Sequence, residues 1–509
     1  WEILPQLRAP ILERYPVEKL PEVLLEHYLL VRNRHQDELH LEFSRSGEDR
    51  TVLRSCMADQ PFIVDTVRLF LRSLEVGQVQ GFNAVISVRR DKRGRAVAFG
   101  DERGSLESVI QLEILGLSED LFGKAELALR DNLGLVEAMV RDFKEMTEGV
   151  DGVARQFEAA VDKAGAKASD LQEAADFLDW LLADNFVFMG ALFGKTRLGF
   201  ERSDLPQKWR ASPWKQGKGS PPTISVRKSV QESPVHRAGR IDEVRILVPR
   251  GDGKPMECLI RGMFTYRAVT QASRHVPLLR LMLRKILESD ASLPGSWRYK
   301  GLANAFDSLP TEFLLTASLG EIRELLDHIL EAEAEQGTRV HMVQKSQAKT
   351  SFVLAAMPRE QYSDRLSKRM QTTIMEATGA TYSDHGVLVG RYDTVLVHYF
   401  LTGAASLPAG KQRVLRDRLA AMATPWTEQL HAALVERGGE TSADRLVERY
   451  ARAFEEEYVR RARIEGVLRD LDMLESLQPG HPVLVDLFLD DRERGTVWEE
   501  VLIYLPSSI

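Results

Sequence analysis

Cys56-Met57-Ala58-Asp59-Gln60-Pro61-Phe62-Ile63-Val64-Asp65-Thr66-Val67 is the stretch where a strand turns into a helix. The β-prone run over residues 51–56 stops at a turn holding Asp and Pro. Phe62, Ile63, Val67, Phe70, Leu71 and Leu74 then recur at helical spacing. Asp59 is positioned to cap that helix, its carboxylate accepting free N–H groups of the first turn. Pro61 in the first turn forfeits no hydrogen bond.

Outward from this corner the first unit, 30–150, reads strand, strand, helix, three strands and a long helix. The strands are expected over 37–43, 51–56, 79–90, 96–100 and 105–115, and the helices over 62–76 and 118–146. A βαββαβ-like order on an antiparallel sheet with helices on one face fits these signals. Residues 147–170, rich in Gly, Ala and Lys, read as helical at best and as a plausible joint. A second α+β unit, 171–270, opens with a helix over 171–183. Strands follow over 185–193, 198–201, 223–228, 242–249 and 256–265, with a long loop over 206–222. Arg250-Gly251-Asp252-Gly253-Lys254 is a hairpin signal. A helical connector spans 277–336. A third unit, 338–403, then repeats the element order in strands over 339–345, 351–357, 382–390 and 394–401, with a helix over 361–378. The recurrence lies in element order, without repeated sequence. A charged helical segment covers 411–478, and two strands in 481–509 open what reads as a further, truncated domain.

At 509 residues the chain exceeds one hydrophobic core. Hydrophobic residues at 44% and charged residues at 28% are ordinary for a globular protein. A net charge of −7 argues against wholesale nucleic-acid binding. No apolar run approaches ~20 residues, so no membrane span is expected. The start, Trp1-Glu2-Ile3-Leu4-Pro5, shows no signal peptide and no initiator Met, which reads as a fragment. Cys56 and Cys258 sit in strand-like apolar settings and read as buried thiols in a reducing cytosol.

The 56–67 stretch resembles the first strand-to-helix corner of an ACT domain, and also an element of the large bacterial NAD-specific glutamate dehydrogenases. Phe177-Leu178-Asp179-Trp180-Leu181, Ser233-Pro234-Val235-His236-Arg237, Arg261-Gly262-Met263-Phe264-Thr265 and Val276-Pro277-Leu278-Leu279-Arg280 are similar, in order and spacing, to strings of that family. The resemblance runs through most of residues 30–505 and points to its amino-terminal ACT-domain region. It implies an α+β fold of several ACT-like, ferredoxin-like βαββαβ units joined by helical connectors. It also implies cytoplasmic homo-oligomers that oxidise L-glutamate to 2-oxoglutarate and ammonium with NAD, in glutamate catabolism. The catalytic domain would then be carboxyl-terminal and absent from these residues.

The residues themselves carry no such chemistry. Gly251-Asp252-Gly253 lies between two strands and lacks the helix that would hold a pyrophosphate. No Walker loop, His-Glu-x-x-His, Cys-x-x-Cys or Gly-x-Ser-x-Gly motif is present. No catalytic, cofactor-binding or metal-ligating residue is assigned. His236 reads as a turn residue, His275 as a helix-entry residue and His398 as a structural strand residue. The mixed basic and aromatic run from Lys208-Trp209-Arg210 to Trp214-Lys215-Gln216-Gly217-Lys218 reads as a mobile surface loop or one covering a partner domain, the two Trp residues favouring the second.

Asp59, Gln60 and Pro61 are the candidate effector-binding residues of the first corner, and Arg359 of the third unit's corner, where it could pair a carboxylate. Ligand-binding ACT domains usually place Gly where Phe62 stands, so the phenyl ring is expected to pack under the helix and narrow that corner. The reading is a non-catalytic regulatory and assembly region, partnered by copies of itself, the catalytic region and an amino-acid effector. The alternative is a stand-alone ACT-type amino-acid sensor or protein-interaction module.

Overall fold

The computed structural model describes residues 18, 20–35, 38–46, 49–213, 222–249, 255–345, 349–390, 393–455, 458, 462, 464–477, 484–490 and 498–504. The first unit comprises α1 (Leu20–Val31), β1 (His40–Arg45), β2 (Arg50–Ala58), α2 (Ile63–Ser73), β3 (Gly77–Arg90), β4 (Ala96–Phe99), β5 (Ser105–Leu115) and α3 (Phe122–Arg141). Its antiparallel sheet has the order β1-β2-β5-β3-β4. Because β5 lies between β2 and β3, α2 is the crossover of a split β-α-β. The sequence-based βαββαβ order needs its outer strand last, whereas here β1, first in the chain, sits beside β2 in that position.

One face of this sheet meets α2 and α3 through Ile63, Val67, Phe70, Leu53, Ile110, Leu129 and Leu133. The other face is closed around Val31, Cys56, Ile86, Val88 and Val109. Into that second layer point Arg34 and Glu107, 1% and 0% exposed and 2.8 Å apart. Arg90 adds bonds of 2.6 and 2.7 Å to the same carboxylate. Burying three charges is tolerated because each guanidinium shares the one carboxylate and spends further donors on backbone carbonyls.

The middle unit has α4 (Phe143–Val161), α5 (Ala168–Trp180), β6 (Phe186–Phe193), β7 (Thr196–Gly199), β8 (Ile224–Glu232), β9 (Arg240–Val248) and β10 (Met256–Phe264). Its strands run β7-β6-β10-β9-β8, with no described α-helix between any two of them. This departs from the order that an ACT-like reading of 171–270 requires. Residues 147–170 are also not a loose joint. Met146, Val150, Val153, Ala154 and Phe157 of α4 are buried in the same core as Phe186, Val244 and Ile260. The helix expected over 118–146 breaks at Asp142, whose carboxylate accepts the Gly199 N–H at 2.8 Å. Gly199 has φ +55°, and a Cβ there would meet the Met189 carbonyl oxygen at 2.2 Å, so only glycine fits.

Helices α6 (Tyr266–Thr270), α7 (Leu279–Ser289), α8 (Trp297–Asp307), α9 (Thr311–Thr316) and α10 (Leu319–Glu335) connect this core to the third unit. A capping box of Ser318 and Glu321 starts α10. The third unit comprises β11 (Arg339–Lys345), β12 (Thr350–Pro358), α11 (Asp364–Thr378), β13 (Tyr382–Val389) and β14 (Thr394–Thr402). Its order is β11-β12-β14-β13. The first and third units thus share one topology, down to the leading strand in the outer place. α12 (Ala409–Ala423) packs with α11 on one face. On the other, Phe352 stacks on Phe313 of α9 with ring centroids 3.8 Å apart.

Beyond it, α13 (Trp426–Gly438), α14 (Glu440–Tyr450) and α15 (Ile464–Ser476) enclose a small cluster around Leu430, Leu434, Val467 and Leu471. β15 (Leu484–Asp490) and β16 (Trp498–Tyr504) form an antiparallel pair. The hairpin signal at 250–254 lies outside the described residues. No described helix is long and apolar enough to cross a membrane.

Candidate functional site

The first corner differs from its expected form. α2 begins at Ile63, after Asp59 and Pro61, and no side chain caps it. Phe62 holds the N-cap position at φ +73°, the left-handed region that favours glycine. Its half-buried ring packs against the core that α2 covers and lies edge-on to His236 of the middle unit, centroids 5.0 Å apart. His236 is itself left-handed, at φ +66°, and its N–H donates to Thr66 Oγ1 at 3.2 Å. The corner therefore packs against a neighbouring unit through Phe62 and Thr66, with Asp59 and Pro61 left exposed. Burial raises the Asp59 carboxyl above its ordinary value, against a hydrogen bond from the Gln60 N–H. The Gln60 Nε2 is buried without a hydrogen-bond partner.

Arg359 stands just past the end of β12 in the third unit, apart from Asp59, Gln60 and Pro61. It is exposed in a short turn, and its N–H donates to the Asp393 carbonyl at 2.7 Å. In place of Arg359, Ser363 organises that corner by accepting the Leu366 N–H and capping α11.

The structure brings a different set together. A cleft of about 750 Å³ opens where the β8–β9 loop, α6 and α9 meet the β13–β14 face of the third unit. Lys228, His236, Arg237 and Arg240 enter from the middle unit, Glu312 from α9, and Tyr382, Asp384 and Phe400 from the third. Lys228 Nζ bridges Asp242 at 2.9 Å and Glu312 at 2.6 Å. Burial opposes its charge, but the two carboxylates outweigh that and hold it protonated. Glu312 is held below its ordinary value: burial opposes its charge, and Lys228 overcomes it.

Arg237 donates to the Phe264 carbonyl at 2.9 Å. Arg240 places its guanidinium 5.6 Å from the Tyr382 ring centroid. The Nε of Arg240 and the Nδ1 of His236 are both buried without a hydrogen-bond partner. Burial, assisted by Arg237 and opposed by Asp65, lowers the His236 pKa and favours the neutral ring.

Of this set the sequence reading singled out only His236, as a turn residue. It is that, and also a cleft wall. Lys228, Arg240, Glu312 and Tyr382 come from separate segments and share no spacing. The one available sign was Lys228 continuing the inward face of Ile224 and Val226 on β8.

Among the other candidates, Lys208 reaches Asp131 at 3.1 Å and Arg210 donates to the Ser203 carbonyl at 2.8 Å, so the described part of that loop lies on the protein. Trp214 through Lys218 lie outside the described residues. Both cysteines are buried and neither is in a disulfide, and burial, with Glu107 nearby, pushes the Cys56 thiol up to about 12.

Residues 4–123 match the family model described as glutamate dehydrogenase, ACT1 domain, and residues 338–427 the one described as glutamate dehydrogenase, ACT2 domain. The chain is similar to a NAD-specific glutamate dehydrogenase of Halomonas elongata, 26% identical over 491 residues, covering 90% of this chain and 30% of that protein. It is also similar to one of Pseudomonas aeruginosa, 23% identical over 506 residues, covering 91% of this chain and 30% of that protein. The chain thus spans about 30% of the length of the curated relatives it matches.

Proposed function

The chain carries the ACT1 and ACT2 domains of the glutamate dehydrogenases and is related to NAD-specific members along about 90% of its length, and on that premise we propose that it is the regulatory and assembly region of such an enzyme. Both outer units are read as ACT-like ferredoxin folds whose leading strand replaces the last one. Oxidation of L-glutamate by NAD, to 2-oxoglutarate and ammonium, belongs in this reading to residues beyond these 509. In support, every strand pairing among the described residues is antiparallel, whereas a dinucleotide-binding fold is built on a parallel sheet.

The cleft carries the proposal. It places unsatisfied, buried polar groups at the joint between the middle unit and ACT2, where a ligand with different affinities for two arrangements would bias one of them. Assembly into a homo-oligomer is supported by sheet edges that expose apolar residues, Val97 and Phe99 on β4 and Val387 and Val389 on β13. Two buried thiols outside any disulfide suit a reducing cytoplasm.

The test is an assay of L-glutamate-dependent NAD reduction on this 509-residue chain and on the product of its complete gene. Activity in the complete product alone is the expected result. Turnover by the 509-residue chain would overturn the non-catalytic assignment, and an inactive complete product would overturn the family activity.

A further inference from the structure

We infer that the groove between α11 and α12 of the third unit binds a small polyanion with consecutive phosphate groups. That chemistry is shared by inorganic oligophosphates and nucleoside triphosphates. Arg365, Lys368 and Arg369 of α11 and Arg418 of α12 take the phosphates. The site rests on neither the regulatory reading nor the family activity.

The groove is a fixed feature of the fold. Leu366, Met370 and Ile374 of α11 and Leu415 and Leu419 of α12 are buried in one core, which holds the two helices together. Thr373 Oγ1 lies 3.9 Å from Met422 Sδ across the floor. The groove has a volume of about 630 Å³, the size of a small-molecule site.

Its charge is one-sided. All four cations are exposed, and none has an ion-pair partner among the described residues. Among those residues no carboxylate lines the groove. The two helices carry seven Lys or Arg and three carboxylates, in a chain whose carboxylates outnumber its cations by 75 to 68. Of the three, Asp364 accepts from the Tyr362 hydroxyl at 2.7 Å and Asp417 pairs with Arg413 at 3.8 Å. Glu376 stands one turn past Thr372, outside the lining. Arg365, Lys368 and Arg369 stand at i, i+3 and i+4, where like charges destabilise a helix. Arg365 also lies in the first turn, against the positive end of the helix dipole. A bound anion relieves both costs.

Phosphate suits this density of charge better than carboxylate. Three of the four cations are guanidinium groups, whose planar forks match phosphate oxygens two at a time. A carboxylate brings a single charge, whereas an oligophosphate brings charge at every phosphorus along a short chain. A single-stranded nucleic acid would need aromatic faces on which to stack its bases, and no described lining residue is aromatic.

The experiment is calorimetric titration of the 509-residue chain, in magnesium-free buffer, with tripolyphosphate, ATP, NAD, citrate and oligothymidylate. Tripolyphosphate and ATP are expected to bind saturably, and more weakly as salt is raised. NAD, which lacks a terminal phosphate, and citrate, which offers only carboxylates, should bind at least about tenfold more weakly. ATP binding tighter than tripolyphosphate would identify a nucleotide as the source, and equal binding would identify the phosphate chain alone. Arg365→Gln and Arg418→Gln, one on each helix, should each weaken tripolyphosphate about three- to fivefold, the worth of one exposed ion pair. Lys368→Glu should weaken it at least about tenfold, while Lys124→Gln, an exposed cation on α3, should change nothing. Because these side chains are exposed, the unliganded Tm of each variant should stay within about 2 °C of the parent chain.

Absence of saturable tripolyphosphate binding at millimolar concentration, or binding unchanged in both arginine variants, would overturn the proposal. So would NAD or citrate binding as tightly as tripolyphosphate, or Lys124→Gln weakening it as much as the arginine variants. Oligothymidylate binding tighter than tripolyphosphate would overturn it in favour of a nucleic-acid surface.

Discussion

The two outer units share a strand order, yet they cover the back of the sheet in opposite ways. In the first, a short helix and the chain after it lie over β2, β3 and β5, and the layer is knotted by Arg34, Glu107 and Arg90. In the third, α9 and α10 bring Phe313, Ile322 and Leu326 onto Phe352, Leu354 and Leu396, and His341 and His398 share that layer with the Glu312 carboxylate, which Lys228 pairs at 2.6 Å. Topology leaves one sheet face open, and the element available to cover it decides its chemistry. A thin cover holds a charged cluster, where both guanidinium and carboxylate find partners. A thick apolar cover extends the main core and leaves His341 and His398 without a bond to Nδ1.

The largest effects break this contrast at its centre. Glu107→Ala strands two buried guanidinium groups and should cost about 3–5 kcal/mol. Phe352→Ala removes the ring stacked on Phe313 and should cost a similar ~3–5 kcal/mol. Urea unfolding checks both. Hydrogen exchange should assign the loosening to β2, β3 and β5 in the first variant and to β11–β14 in the second.

Acid separates the units next. Burial lowers the His341 pKa to about 4, with His328 and Arg416 adding to it, and burial with His385 nearby does the same for His398. With folded values below the unfolded one, stability is full above pH ~6.5 and falls as the pH drops toward 4, because the unfolded chain takes up the protons first. For His341 the loss is on the order of 3 kcal/mol. Burial opposes the charge of Glu107, but bonds from Arg90 and Arg34 outweigh it and hold its carboxyl below the ordinary value. Its contribution is present above the unfolded carboxylate pKa and is lost as pH falls through the folded one. On acidification the third unit should therefore lose exchange protection before the first, and His341→Phe should flatten its decline.

Smaller effects concern the corners. Phe62→Ala and Phe62→Gly both remove the ring packed on His236, but only glycine relieves the left-handed backbone. Phe62→Gly should be more stable than Phe62→Ala by about 1 kcal/mol. In the third unit, where the corner is capped conventionally, Ser363→Ala should cost about 1 kcal/mol. Thermal unfolding of the three variants resolves these differences.

Much of this contrast was legible in the sequence, because alternation along β2, β5, β12 and β14 and the helical spacing after Phe62 report burial directly. The place of β1 and β11 was not, since any outer strand of an antiparallel sheet alternates alike whichever end of the unit supplies it. Residues 147–170 misled for a related reason. Gly149 reads as flexibility, yet a Cβ there would meet the Phe193 ring at 2.4 Å, so it is a packing position in α4. The corner residues Asp59, Gln60 and Pro61 were read from local helix chemistry, while the fold there is set by His236, distant in sequence. The cleft was illegible because its charges arrive from separate segments and meet only when the units pack.

The most direct test of the two sheet covers is hydrogen–deuterium exchange on the 509-residue chain at pH 7 and pH 5, compared after correction for intrinsic rates. Lost protection over β11–β14 at pH 5, with β2, β3 and β5 unchanged, is the expected result. Lost protection over β2, β3 and β5 with none over β11–β14 would contradict it.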